Sequence, residues 1–205
     1  MSGALKEVRN RISSVQSTQQ ITKAMKMVSA AKFRRAQDAI VQMRPYAKKL
    51  QEVLSNIVSN SDGDVSMDLA ATRPVENVLL IPITSDRGLC GGYNSNLIKL
   101  TRQFIREKYA DQQKKGNVHI LPLGKKGFEN FSKGGFKVID KYWEIFTGLS
   151  FEKVQEVAQF VREGFAARQY DAVYIIYSQF KNAATQDFTV EQYLPVAKVA
   201  QTADS

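Results

Sequence analysis

The sequence is poor in the residues from which active centres are built. Its 205 residues contain one cysteine, Cys90, and one histidine, His119. A single cysteine excludes a disulfide framework within the chain, which fits a reducing cytosol. One residue of each type cannot make a zinc site of several His and Cys ligands. No run reaches the roughly 18 apolar residues of a membrane-spanning helix. Neither an apolar signal segment nor an Arg/Ser-rich transit segment opens the chain. Helix breakers are nearly missing from residues 1–58, where Pro45 and Gly3 are the only proline and glycine.

What is present is unevenly distributed. The formal net charge is +9, and residues 1–50 carry eleven Lys or Arg against two acidic residues. The remaining 155 residues carry 18 charges of each sign. This asymmetry predicts a basic arm joined to a neutral domain.

The arm reads as one long helix, rich in Ala, Lys, Gln, Met and Arg. Leu5, Val8, Ile12 and Val15 are spaced 3, 4, 3. Phe33, Ala36, Ile40, Met43, Ala47, Leu50, Leu54 and Ile57 continue the same seven-residue register. That is a coiled-coil seam. Between the two runs the register places Gln19, Thr22, Lys26 and Ser29, all polar, while Ile21, Met25 and Val28 occupy a neighbouring face. At ~1.5 Å per residue such a helix is roughly 85 Å long, wider than a globular core. Pro45 removes one backbone bond and is the weak point of the rod.

Three uses of the arm compete. A helix lying on its own domain is disfavoured by length. A nucleic-acid-binding arm is disfavoured because Arg9, Lys23 and Arg44 flank one side of the seam and Arg11 and Lys32 the other, with Phe33 and Tyr46 the only aromatics. A membrane-surface helix would want interfacial Trp, and the sole tryptophan is Trp143. A coiled-coil shaft held by protein partners is the favoured reading.

After a polar connector over 59–74, with turn chemistry at Asp62-Gly63, strand and helix patterns alternate through 75–205. Strands are expected at 77–83, 117–123, near 136–141, at 171–180 and in an extended piece at 186–196. Helices are expected near 94–110, 125–133 and 150–169. This order predicts a Rossmann-like α/β domain, its sheet mainly parallel with allowance for an antiparallel edge.

Between the first strand and helix lies 84-TSDRGLCGGYNSN-96. Gly88, Gly91 and Gly92 do not make the G-x-G-x-x-G of a dinucleotide loop, and no Lys follows Gly92 as in a P-loop. No acidic ribose-binding residue ends the next strand, where Leu121, Pro122 and Leu123 stand. The glycines read as permitting a tight turn. Cys90 beside them admits a reactive thiolate, although a lone small buried or half-buried residue is the simpler reading. His119, between Val118 and Ile120, reads as structural. No hydrolase triad or paired carboxylate motif is present; no catalytic, metal-binding or cofactor-binding residue is expected.

The loop 85-SDRGLCGGYN-94, with 20-QITKAMKMVSAAKFRRAQ-37 and 44-RPYA-47, resembles the gamma subunit of the rotary proton-translocating ATP synthase, over Ala4 to about Pro195. The resemblance implies a non-enzymatic central-stalk rotor, coupling proton flow through the membrane sector to ATP chemistry in the alpha/beta head. Its partners would be alpha and beta subunits around the shaft, and the epsilon subunit and membrane c-ring at the foot. It implies no nucleotide, no nucleic acid and no membrane span. Lys23, Met25 and Lys26, with Arg34 and Arg35, match shaft positions that meet the head, and Asp86, Arg87, Gly88 and Cys90 match a loop near the shaft's exit. The family continues with a further sheet segment and a C-terminal helix that these residues lack. The chain start matches a bacterial version, peripheral on the cytoplasmic face of the inner membrane. A nucleic-acid-binding protein with a basic helical arm is the alternative.

Overall fold

The computed structural model describes residues 2–60, 68–182 and 184–196. Two compact units divide the chain, Met1–Ile57 and Val58–Ser205. The first is α1, Ser2–Asn60, one continuous 59-residue helix that passes through Pro45. The expected turn at Asp62-Gly63 lies outside the described residues.

In the second unit, a short 3-10 turn at Asp68–Ala70 precedes β1, Val78–Pro82. Then follow α2 (Tyr93–Lys108), α3 (Ala110–Lys114), β2 (Val118–Ile120), α4 (Lys125–Phe131), β3 (Lys137–Val138), α5 (Phe151–Ala166), β4 (Ala172–Phe180) and β5 (Gln186–Leu194). The helix expected near 94–110 thus ends at Lys108 and a short second one follows. The strand expected near 136–141 shrinks to two residues.

The sheet order is β3-β2-β1-β4-β5, with β1 parallel to β2 and β4, β2 parallel to β3, and β5 antiparallel to β4. This is the doubly wound order, in which the connection reverses direction between β1 and β4. Burial on both faces explains why β1 reads as an unbroken apolar run. Val78 and Leu80 face one cluster with Leu97 and Ile105 of α2; Leu79 and Ile81 face another with Val157, Val161 and Phe165 of α5. Helical spacing supplies both surfaces. Leu97, Thr101 and Ile105 are the buried stripe of α2, and the Thr101 hydroxyl is satisfied by donating to the Leu97 carbonyl at 2.8 Å. On α5 the stripe is Val157, Val161, Gly164 and Phe165, and Ser150 caps the helix by accepting from Lys153 N.

One ion pair ties the approach to β1 to the start of β4. Arg73 Nε donates to Asp171 Oδ1 at 2.6 Å, and the other carboxylate oxygen accepts from the backbone of Glu76 and Asn77 at 3.0 and 2.8 Å. Arg73 Nη2 also donates to the carbonyls of Phe165 and Tyr170, and the guanidinium lies 4.4 Å over the Phe165 ring. Burial pushes the Asp171 carboxyl up, but the Asn77 N–H, Arg73 and the Glu76 N–H together hold it below the usual carboxylate range. Its stabilisation is therefore fully present above the unfolded value, about 3.9, and is lost as pH falls through the lower folded value.

Replacing Asp171 by Asn should cost about 3 kcal/mol in urea unfolding at neutral pH, because it leaves Arg73 without its counter-ion. The variant should also lose part of the fall in stability below pH ~4. An unchanged acid limb would contradict the assigned role.

Candidate partner surfaces

The residues expected on the shaft are all exposed on α1. Lys23, Lys26, Arg34 and Arg35 are open to solvent, and Met25 is 50% exposed. So are the seam residues Leu5, Val8, Ile12 and Val15, and further along Ile40, Met43 and Leu50. In the polar stretch between the two runs, Thr18 and Thr22 donate to the carbonyls of Ser14 and Thr18, at 2.9 and 2.6 Å. Their hydroxyls are thus turned onto the helix itself.

The second group, Asp86, Arg87, Gly88 and Cys90, shares one loop after β1. It is a closed hydrogen-bonded structure. Asn94, in the first turn of α2, accepts from Ser85 N at 2.9 Å and donates from Nδ2 to Ser85 Oγ at 2.8 Å and to Cys90 Sγ at 3.2 Å. Ser85 Oγ donates to the Arg87 carbonyl at 2.6 Å. Tyr93 donates its hydroxyl to the Ile83 carbonyl; burial pushes that phenol up, and Cys90 adds to the effect. At the tip, Leu89 has φ 61 and is 96% exposed, and Gly91 has φ 58. A leucine in the left-handed region is uncommon and costs of order 1 kcal/mol or more. Cys90 is exposed, neither buried nor half-buried, in the loop that follows the central strand.

Beneath the loop the chain fills its own helix terminus. Asp86 Oδ1 accepts from Lys125 N at 2.9 Å, the Ser85 carbonyl from Lys126 N at 3.1 Å, and Thr84 Oγ1 from Gly127 N at 2.8 Å. These are the first-turn donors of α4, which in an anion site would point at a phosphate. Here they are spent on β1 and its loop. Sequence reasoning missed Thr84, Gly124 and Gly127. Gly124 has φ 109, and a Cβ there would stand 2.1 Å from the Thr84 carbonyl oxygen; one at Gly127 would stand 2.8 Å from Thr84 Oγ1. The single glycines following 121-LPL-123 were the available signal. His119 is half-buried and edge-on to Tyr170 at 5.5 Å; burial, then Lys137, pushes its pKa down.

The chain thus combines a long helix whose apolar seam is open to solvent with a doubly wound sheet in which the helix after β2 is capped by the chain's own loop. The family model described as ATP synthase matches residues 4–205. The ATP synthase gamma chain of Flavobacterium psychrophilum is 48% identical over 195 residues, covering 95% of this chain and 66% of that protein. That of Cytophaga hutchinsonii is 44% identical over 200 residues, covering 98% and 68%. Among solved structures, the central stalk and c-ring of Tetrahymena thermophila mitochondrial ATP synthase aligns with TM-score 0.63 and 28% identity, over 85% of this chain and 72% of its counterpart. The chain belongs to the ATP synthase gamma-chain family. It spans about two thirds of the length of the curated relatives it matches.

Replacing Asp86 by Ala should cost about 1 kcal/mol in urea unfolding, as loss of a capping carboxylate does, and Asp86→Asn should retain most of the stability. Equal stability of both variants and the parent would show that the contact to Lys125 N is idle. Gly124→Ala should cost about 3 kcal/mol, since it combines a glycine-only backbone with a steric overlap.

Proposed function

We propose that this chain is a central-stalk rotor component of a rotary ATP synthase, coupling proton flow through the membrane sector to ATP synthesis and hydrolysis in an alpha/beta head. The observation that carries the reading is α1: a 59-residue helix whose heptad seam lies open to solvent, in a chain of the gamma-chain family. Such a seam requires a partner along its length. Fading of the seam between Val15 and Phe33 leaves a polar and cationic belt, suited to steering and registering against acidic surfaces of surrounding subunits rather than to tight adhesion.

In this reading Lys23, Met25, Lys26, Arg34 and Arg35 meet the alpha and beta subunits. Asp86, Arg87, Gly88 and Cys90 present a preformed loop to a beta or epsilon subunit, and the c-ring lies at the foot. Arm, connector and Rossmann-like domain are assigned to 1–58, 59–74 and 75–205. The chain is non-catalytic, the ATP chemistry belonging to beta subunits. Its place is peripheral, on the cytoplasmic face of a bacterial inner membrane. Among the described residues no helix is long and apolar enough to cross a membrane, so attachment would run through partners.

Mixing the chain with alpha and beta subunits should yield a complex on size-exclusion chromatography with ATP turnover above that of the head alone. Lys23→Glu with Lys26→Glu should lower that turnover roughly tenfold while leaving the helical circular dichroism intact. Failure of both assembly and turnover would overturn the reading. Binding of DNA or RNA by the chain alone, with steep salt dependence, would favour the nucleic-acid alternative.

A further inference from the structure

Between α2 and α4 lies a surface groove of about 830 Å³. Its walls carry Lys99, Arg102 and Arg106 on α2, and Lys126 and Lys133 at and beyond the facing helix; Glu129 is the single carboxylate among its lining residues. The lone acid is already engaged. Lys126 Nζ donates to Glu129 Oε2 at 2.8 Å, and that hydrogen bond, with the charges of Lys126, Lys125 and Lys133, holds the Glu129 carboxyl below its usual range. Arg102 is braced across the groove, donating to Asn130 Oδ1 at 3.0 Å and lying 5.8 Å from the Phe136 ring. Gly134 leaves it room, since a Cβ there would come within 3.2 Å of Arg102 Nη2. The side chains of Lys99 and Arg106 make no hydrogen bond or ion pair among the described residues, and that of Lys133 acts on Glu129 through its charge alone. Concentrating like charge in a concave surface is unfavourable unless an anion shares it.

The spacing narrows the occupant. Lys99, Arg102 and Arg106 stand at i, i+3 and i+7, so they form a row roughly 10 Å long on one helix face. Lys126 on α4 and Lys133 in the turn beyond it stand on the other wall. Cations spread along such a wall do not converge on one phosphate. They match an extended chain, about three residues of which span the roughly 10 Å row. A single-stranded nucleic acid would want aromatic faces for its bases, and no aromatic residue lines the groove. Ile98 gives an apolar contact, and the Asn130 amide keeps its Nδ2 free to donate once its oxygen has accepted from Arg102.

We infer that the α2–α4 groove is a docking site for an extended acidic segment of a partner polypeptide, its carboxylates alternating with small residues. The partner's carboxylates pair with Lys99, Arg106 and Lys133, and braced Arg102 sets the register. Asn94 lines the groove and also closes the Ser85–Cys90 loop, so an occupied groove abuts that loop. The inference does not depend on the assembly proposed above, because binding is read on the chain alone.

A fluorescein-labelled peptide of about eight residues, alternating glutamate and serine, supplies the probe. Fluorescence anisotropy with the full chain at low salt should show saturable binding that weakens as ionic strength rises. Lys99→Glu with Lys133→Glu should weaken it roughly tenfold or more. Lys6→Glu with Lys48→Glu, the same charge change on exposed positions of α1, should alter it less than about twofold. Arg106→Glu serves as an independent groove variant, with circular dichroism to verify folding. Equal losses in groove and α1 variants would overturn the inference in favour of bulk charge. No binding at low salt would overturn it as well. Tighter binding of an oligothymidylate, lost in the same groove variants, would reassign the groove to nucleic acid.

Discussion

The corner of the second unit is fixed by one hydroxyl. Thr84 is 1% exposed, two residues beyond the end of β1, and its Oγ1 accepts from Gly127 N while donating to the Gly124 carbonyl at 3.3 Å. Its own N–H donates to the Leu123 carbonyl, so the carboxyl ends of β1 and β2 are locked edge to edge. Everything above follows from this seat. The start of α4 is pressed against the end of a strand at a distance only glycine tolerates. The loop that leaves Thr84 then supplies the remaining caps from Ser85 and Asp86. In a dinucleotide-binding sheet the phosphate sits at the helix that follows the first strand, which here is α2. At the helix after β2, Thr84, Ser85 and Asp86 satisfy the first donors of α4, which makes that end of the sheet a pedestal for the exposed loop.

The same economy of chemistry runs through both units. The described residues contain no cluster of His, Cys, Asp or Glu able to hold a metal. What the molecule displays instead is surface: an open heptad seam, a cationic belt, a leucine lifted into solvent at φ 61, and a groove lined by cations. A contiguous row of exposed large apolar residues belongs to interfaces more than to catalysis. The class of function is therefore written in what the chain leaves uncovered.

Much of this was legible in the sequence, for reasons that can be named. The absence of breakers and the seven-residue register of Leu5 to Val15 and Phe33 to Ile57 specify a long helix without any tertiary information. β1 and β4 announce themselves because strands buried on both faces become continuous apolar runs. The lock at Thr84 was not legible: it joins residues 40 and 43 positions apart, and its signal, single glycines at 124 and 127, looks like ordinary turn chemistry. Exposure of Cys90 was also hidden, since it depends on the left-handed turn through Leu89 and Gly91. Half of the groove was visible as the i, i+3, i+7 cations of α2. Its other wall comes from residues 126–134, and only the fold brings them opposite.

Arg73 has a mechanical side. It enters the second unit five residues before β1 and is pinned to Asp171, one residue before β4, while its guanidinium rests on Phe165. A pull on the backbone at residue 73 therefore meets this pin before it reaches the hydrogen bonds of β1. The load divides between two neighbouring parallel strands and the end of α5, so those strands would have to slide past one another rather than peel apart one bond at a time. A fold tethered in this manner yields late and abruptly under strain.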